Sequence, residues 1–137
     1  MKLSDVKINA ARVEAGAWVK DIPEMGDLEL KVRGFQNADD RAILAREMEA
    51  LPAKSRMRGR VSDEDRERIM TIRLRDAILV DWRNIEGEDG KPVPFSKDAA
   101  EKLLTDPDLA AFRGAVVWAA GVVAQESDET TEDITKN

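Results

Sequence analysis

The side chains best suited to chemistry in this chain are carboxylates, and most of them stand beside guanidinium groups. Asp76 and Asp81 are flanked by Arg73, Arg75 and Arg83. A catalytic acid needs its pKa raised by burial or by a second carboxylate, whereas cationic neighbours lower it. The cluster therefore reads as structural ion pairs. The loop Glu86-Gly87-Glu88-Asp89-Gly90 has the oxygen density of a calcium site. An EF-hand started at Asp81, however, puts Arg83 and Ile85 at the third and fifth ligand positions, where neither can ligate. That loop reads as a turn. The segment Lys54-Ser55-Arg56-Met57-Arg58-Gly59-Arg60 carries four basic side chains in seven residues and can meet phosphates. It has no aromatic ring for base stacking, so it reads as a solvated connecting loop.

The residue types that usually carry catalysis are missing. There is no histidine, tyrosine or cysteine. Most proton transfer near neutrality uses histidine, and thiolate chemistry and disulfides need cysteine. Carboxylate pairs and Ser–Lys arrangements remain as the chemical repertoire. No glycine-rich phosphate loop, HExxH or G-x-S-x-G pattern occurs. The expectation is a protein that is not an enzyme, with no catalytic residue, no cofactor and no metal.

A chain of 137 residues suits one domain with a modest core. Charged residues make up 36%, well above the roughly 25% of an ordinary globular protein, so the surface is dense with charge. With 22 Lys plus Arg against 28 Asp plus Glu, the net charge is −6, which argues against sequence-blind binding to nucleic acid. No uninterrupted apolar run approaches the roughly 18 residues of a membrane span, and the N-terminus has no apolar secretory core. The expected location is the cytoplasm, without membrane or nucleic-acid partners.

The elements that must hold any site follow from periodicity. The fold expected is mainly α: a helical domain of four to five helices with an N-terminal β-hairpin and a disordered acidic tail. The hairpin region is placed at 1–36, the helical domain at 37–125 and the tail at 126–137. Val6 and Ile8 can begin a short strand. Trp18 to Ile22 form one hairpin arm, Pro23 to Asp27 the turn, and Leu28, Leu30 and Val32 alternate with charged residues in the other arm. Asn37 with Asp40 opens a helix that reaches Leu51, with Leu44, Met48 and Leu51 on one face. Ser62-Asp63-Glu64-Asp65 opens a second helix that extends to about Trp82, with Glu64 and Arg68 spaced to pair. Arg83 to Phe95 is a loop, Ser96 caps a short helix, and Asp106-Pro107 starts the last one, which ends near Gln125. Residues 126–137 carry five acids, one lysine and a single large apolar group, Ile134, a composition that cannot build a core.

The last helix is the most informative segment. Gly114 to Ala124 is an eleven-residue run without a polar side chain. Leu109, Phe112, Val116, Ala119 and Val123 form one stripe, while Val117, Trp118 and Val122 lie well off it. A helix apolar all round is either central to a core or covered by a partner, and eleven residues are too few to cross a membrane. The apolar run Ala77–Val80 makes a second such demand, and a small domain has trouble surrounding both. Gly114 and Gly121 share a face on which another backbone can approach closely. The excess points to association.

Leu79-Val80-Asp81-Trp82-Arg83-Asn84-Ile85, followed by Asp89-Gly90-Lys91-Pro92-Val93-Pro94-Phe95-Ser96, resembles the tail assembly chaperones of long-tailed bacteriophages and prophages. The shared pattern is a W-x-N step, a DG-x-P-x-PFS loop and helices opening with Asp-Pro. It covers roughly residues 76–124, and residues 1–60 agree in general layout. The resemblance implies a non-catalytic protein of the bacterial cytoplasm. Such a chaperone coats the long, helical tape measure protein, brings tail tube protein subunits to it, and is absent from the mature virion. Many are also made in a longer, frameshifted form. Combined with the apolar excess, it nominates Trp82, Phe95, Phe112, Val117, Trp118 and Val122 for partner binding or self-association. Two other readings remain: a head–tail adaptor, which would be found in virions, and a small helical DNA-binding regulator, which would bind duplex DNA in a salt-sensitive way.

Overall fold

A computed structural model describes residues 1–57 and 61–125; the tail expected to be disordered, 126–137, and the end of the basic segment, 58–60, lie outside the described residues. The architecture is mainly α, with six α-helices among the described residues and one three-stranded antiparallel sheet in the order β1-β2-β3. The strands are β1 Ala17–Val19, β2 Glu29–Val32 and β3 Leu79–Arg83. The helices are α1 Ala10–Ala15, α2 Ala38–Glu49, α3 Ala53–Met57, α4 Asp63–Arg73, α5 Lys97–Thr105 and α6 Ala110–Gln125.

The hairpin forms as expected, with Ala17 opposite Val32 and Val19 opposite Leu30. Its first arm is shorter than 18–22, because Asp21 takes φ 55° and breaks the extended run. Gly16, at φ 82°, lets α1 turn directly into β1; a side chain there would lie 2.9 Å from the Val32 carbonyl oxygen. No strand forms at Val6 and Ile8. Leu3–Asp5 is a 3-10 turn, and α1 follows, capped by Asn9, whose side chain accepts from the Arg12 N–H.

The helix expected to reach Trp82 ends at Arg73. It widens into a single π turn over Leu74–Ile78, and the chain then enters β3 with no connector. The cause lies in β2: Leu30 and Val32 are fully buried, and the backbone between them needs a second partner strand. Val32 pairs with Leu79 and Lys31 with Asp81, so Val80 is the extra residue of a bulge. The bulge puts inward-facing Leu79 and Trp82 three apart and leaves Val80 exposed. The run Ala77–Val80 is therefore not buried on all sides. The first part of the basic segment, Lys54 to Met57, is helical as part of α3 and not the expected loop.

Caps elsewhere follow the sequence. Ser62 accepts from the Asp65 N–H at 3.1 Å and Ser96 from the Ala99 N–H at 3.0 Å. Arg68 reaches past Glu64 to Glu47 on α2, at 2.8 Å. Asn37 does more than cap α2. Its Oδ1 accepts from the Asp40 N–H at 2.8 Å, while its Nδ2 donates to the carbonyls of Gly34 (3.0 Å) and Ala77 (2.9 Å). Asp40 is also buried, and both its oxygens accept from Arg73, at 2.6 and 3.0 Å. Burial pushes the Asp40 carboxyl up, but hydrogen bonds from Arg73 and the Gln36 N–H, with the charges of Arg73 and Arg33, outweigh it and hold it below the ordinary range.

One core cluster runs from Val19 through Leu30, Leu74, Ile78 and Leu79 to Val116 and Val123. The segments on either side of the expected boundary at 36/37 share this core. Its floor is α6.

Candidate functional site

The 3-10 turn Pro107–Leu109 is capped by Asp106, which accepts from the Asp108 N–H at 2.9 Å, and leads straight into α6. Phe112, Ala115, Val116, Ala119, Ala120 and Val123 point inward and are buried. Arg113 reaches sideways to α4, where it donates to Thr71 Oγ1 at 2.9 Å and pairs with Glu67 at 3.0 Å. This clamp and the buried face fix which side of α6 looks outward.

The outward side has no charge between Arg113 and Gln125. Ala111, Gly114, Trp118, Gly121 and Gln125 are exposed there, separated alternately by three and four residues. That is the spacing by which one helix packs lengthwise on another. Trp118 is 42% exposed and Val117, beside it, 40%. Both are high for large apolar side chains in a domain of this size. Apart from the adjoining residues and the helix's own backbone, no heavy atom lies within 4 Å of where a Cβ would stand at Gly114 or Gly121. Val117, Trp118, Gly121 and Val122, with Ala124 and Gln125, line an open depression of about 550 Å³. The face is a ridge of two bulky side chains between two bare stretches of backbone.

The six nominated residues divide into two groups. Val117 and Trp118 are on this face, and half-buried Val122 is at its edge. Trp82 and Phe112 are buried, and Phe95 is half-buried against them. The Trp82 ring meets Phe95 edge-on at 4.9 Å and Phe112 at 6.0 Å, and its Nε1–H donates to the Val93 carbonyl at 2.7 Å. These three aromatics are core, and the surface reading does not hold for Trp82 and Phe112. They are inside because the segment after β3 folds back: Asn84, at φ 68°, donates to the Asp27 carbonyl, and the Val93 N–H returns to Ile85. The W-x-N and PFS residues thus brace the sheet against α6. Sequence reasoning missed Ala111 and Gln125, although their spacing from Gly114 and Gly121 carried the signal.

Elsewhere the polar groups pair off. Asp76 bonds Arg75 at 2.8 Å, which is the main cause of its carboxyl lying below the ordinary value, and Arg75 is held above its own. A carboxyl lowered in this way is a poor proton donor near neutrality. Asp81 accepts from the Trp82 N–H, Arg73 pairs with Asp40, and Arg83 lies 3.8 Å from the Trp18 ring centre on the outer face of the sheet. Gly87-Glu88-Asp89-Gly90 is a turn closed by the Gly90 N–H on the Gly87 carbonyl. Among the described residues no group of three or more Asp and Glu side chains is placed to hold a metal ion.

The unbroken helical stretch Pro107–Gln125 has 19 residues and contains an 18-residue window of mean hydropathy 1.3, long and apolar enough by those measures to cross a membrane. The eleven-residue limit expected above therefore understates it. Its inner face, however, is committed to the core, and Arg113 is committed to Glu67. A family model described as YdaY prophage protein matches residues 35–137, which includes all of α6 and the segment that resembles tail assembly chaperones. No curated protein and no solved structure matches the chain.

Proposed function

The chain belongs to the YdaY prophage protein family, and from that premise we propose that it is a tail assembly chaperone that shields an elongated helical client. The observation that carries this reading is the outward face of α6. It is apolar, uncharged from Gly114 to Ala124, and spaced for a helix partner. A tape measure protein is a long helix with apolar stripes, and helix-on-helix packing recognises such stripes without chemistry. The glycines let a client backbone come close, while Val117 and Trp118 fill the client's surface. Charged flanks keep the complex soluble. In this reading the protein works in the host cytoplasm, delivers the covered client to tail tube subunits, and is left out of the finished particle.

The test is co-expression with the longest helical product of the same prophage, scored by the client's soluble fraction and by co-purification. Trp118→Asp and Val117→Asp, both at exposed positions, should sharply reduce both while leaving the circular dichroism spectrum and melting temperature close to those of the parent. Burying one large apolar side chain contributes about 1.5–3 kcal/mol, so a single charge there weakens binding by at least about tenfold. A folded Trp118→Asp protein that still keeps the client in solution refutes the assignment. Recovery of the protein in purified virions favours a head–tail adaptor instead.

A further inference from the structure

The first eight residues leave the fold beside the end of α6 and shield their own apolar side chains poorly. Met1, Leu3, Val6 and Ile8 are 97%, 79%, 60% and 49% exposed. Their point of departure is fixed, because the Asn9 N–H donates to the Ala124 carbonyl at 2.9 Å. An exposed apolar arm thus begins next to an exposed apolar helix face.

That face is nearly the same read in either direction. From Gly114 to Gly121 the outward positions run glycine, valine, tryptophan, glycine. When two copies of α6 lie antiparallel about an axis between residues 117 and 118, Gly114 of one meets Gly121 of the other, while Val117 and Trp118 each meet their own counterpart on the two sides of the axis. The bulky pairs then sit at the centre and the bare backbones close on each side. The same arrangement brings Ala124 level with Ala111 of the second copy. Each arm therefore emerges over the start of the other α6. The arm carries exposed Lys2 and Lys7 and the approach to α6 carries exposed Asp106 and Asp108, so the two are complementary in charge.

We infer that the occupant of this face, when no client is present, is a second copy of the chain, joined through antiparallel α6 helices and exchanged N-terminal arms. The contact is isologous, as a two-fold dimer requires, and no charged side chain from Gly114 to Ala124 opposes it. A stable interface covers roughly 800 Å² on each partner, more than one face of a helix about 24 Å long can supply, and the arm provides the remainder. The dimer occupies the surface assigned to the client above, so it rests on the same face and makes self-association the resting state from which a client must displace it.

Sedimentation velocity of the full chain, without client, tests this directly. The parent should be dimeric. Trp118→Asp should shift it to monomer, and so should the paired change Leu3→Asp with Ile8→Asp, which touches only exposed residues and so cannot act by unfolding. The chain has no cysteine, so orientation can be read by oxidation: Gly114→Cys and Gly121→Cys chains should cross-link when mixed, and neither should cross-link alone. A parent that is monomeric at every concentration overturns the inference. So does a dimer indifferent to both sets of changes, or a monomer that instead sediments with phosphatidylcholine vesicles. A monomer that still holds the client soluble would sink the dimer alone and leave the chaperone reading standing.

Discussion

Replacing Asn37 by Asp separates two jobs that one side chain performs. As a helix cap, aspartate is about as good as asparagine, so a role limited to α2 predicts almost no change. The structure makes a different demand. The Nδ2 group of Asn37 donates to the carbonyls of Gly34 and Ala77, and the whole side chain is buried. Aspartate turns both donors into an acceptor that faces two carbonyl oxygens, close to the already buried Asp40. A buried polar group left without its partner costs about 1–3 kcal/mol, so two such groups cost about 2–6 kcal/mol in total. Domains of this kind have roughly 5–15 kcal/mol to lose. Urea unfolding followed by tryptophan fluorescence should show the midpoint falling by about 1–3 M, for a slope of about 2 kcal/mol per molar. Asn37→Ser keeps the cap and loses the donors without adding a charge, so it should fall between the parent and Asn37→Asp. A loss below about 0.5 kcal/mol for Asn37→Asp, the value for a surface position, would refute the claim that this residue ties the hairpin exit to the π turn.

Other outcomes follow from the same structure. Asp40 has its carboxyl lowered in the folded state, so its contribution to stability is present above the unfolded pKa of about 3.9 and is lost as pH falls through the folded value. Acid titration of stability should therefore be flat down to about pH 4 and then drop, and Asp40→Asn should flatten the drop while lowering stability at neutral pH. Gly114→Ala and Gly121→Ala should each raise the stability of the isolated fold by up to about 1 kcal/mol, since open space surrounds both positions, yet weaken client binding and self-association by blocking close approach. Gly34→Ala should have the opposite effect, because its Cβ would stand 2.7 Å from Val13 Cγ2; a loss of about 1–3 kcal/mol is expected in the same urea assay. Trp82→Phe should lose about 1–3 kcal/mol by leaving the Val93 carbonyl without its donor, with no effect on client binding.

Much of the helical layout was readable because its signals are local. Asn37, Ser62, Ser96 and Asp106 each cap the element expected of them, and the alternation of Leu28, Leu30 and Val32 marks a strand with one buried face. The third strand was not readable. The bulge at Val80 destroys the period of two, the preceding π turn destroys the helical period, and the requirement that creates β3 comes from β2, some fifty residues earlier. For the site, the apolar run of α6 marks the helix but not its orientation. Only the positions of Arg113 and the core show that Trp118 faces out and Phe112 in. The resemblance and the apolar excess nominate Trp82 and Phe95 for partner binding, but Trp82 has a backbone carbonyl to donate to and two rings to rest on, which makes it an interior residue.

The passage from α4 into β3 places two irregularities in tandem, a widened turn at Leu74–Ile78 and an extra residue at Val80, with no connector between them. Length along this stretch is thus coupled to phase. Losing one residue from the turn would rotate everything downstream and send Leu79 and Trp82 toward solvent, and no slack exists to absorb it. The segment from Glu86 to Pro92 is closed by only a few turn bonds at the surface and can accept or shed residues freely. Natural variation in chain length among related proteins should gather there and spare the junction.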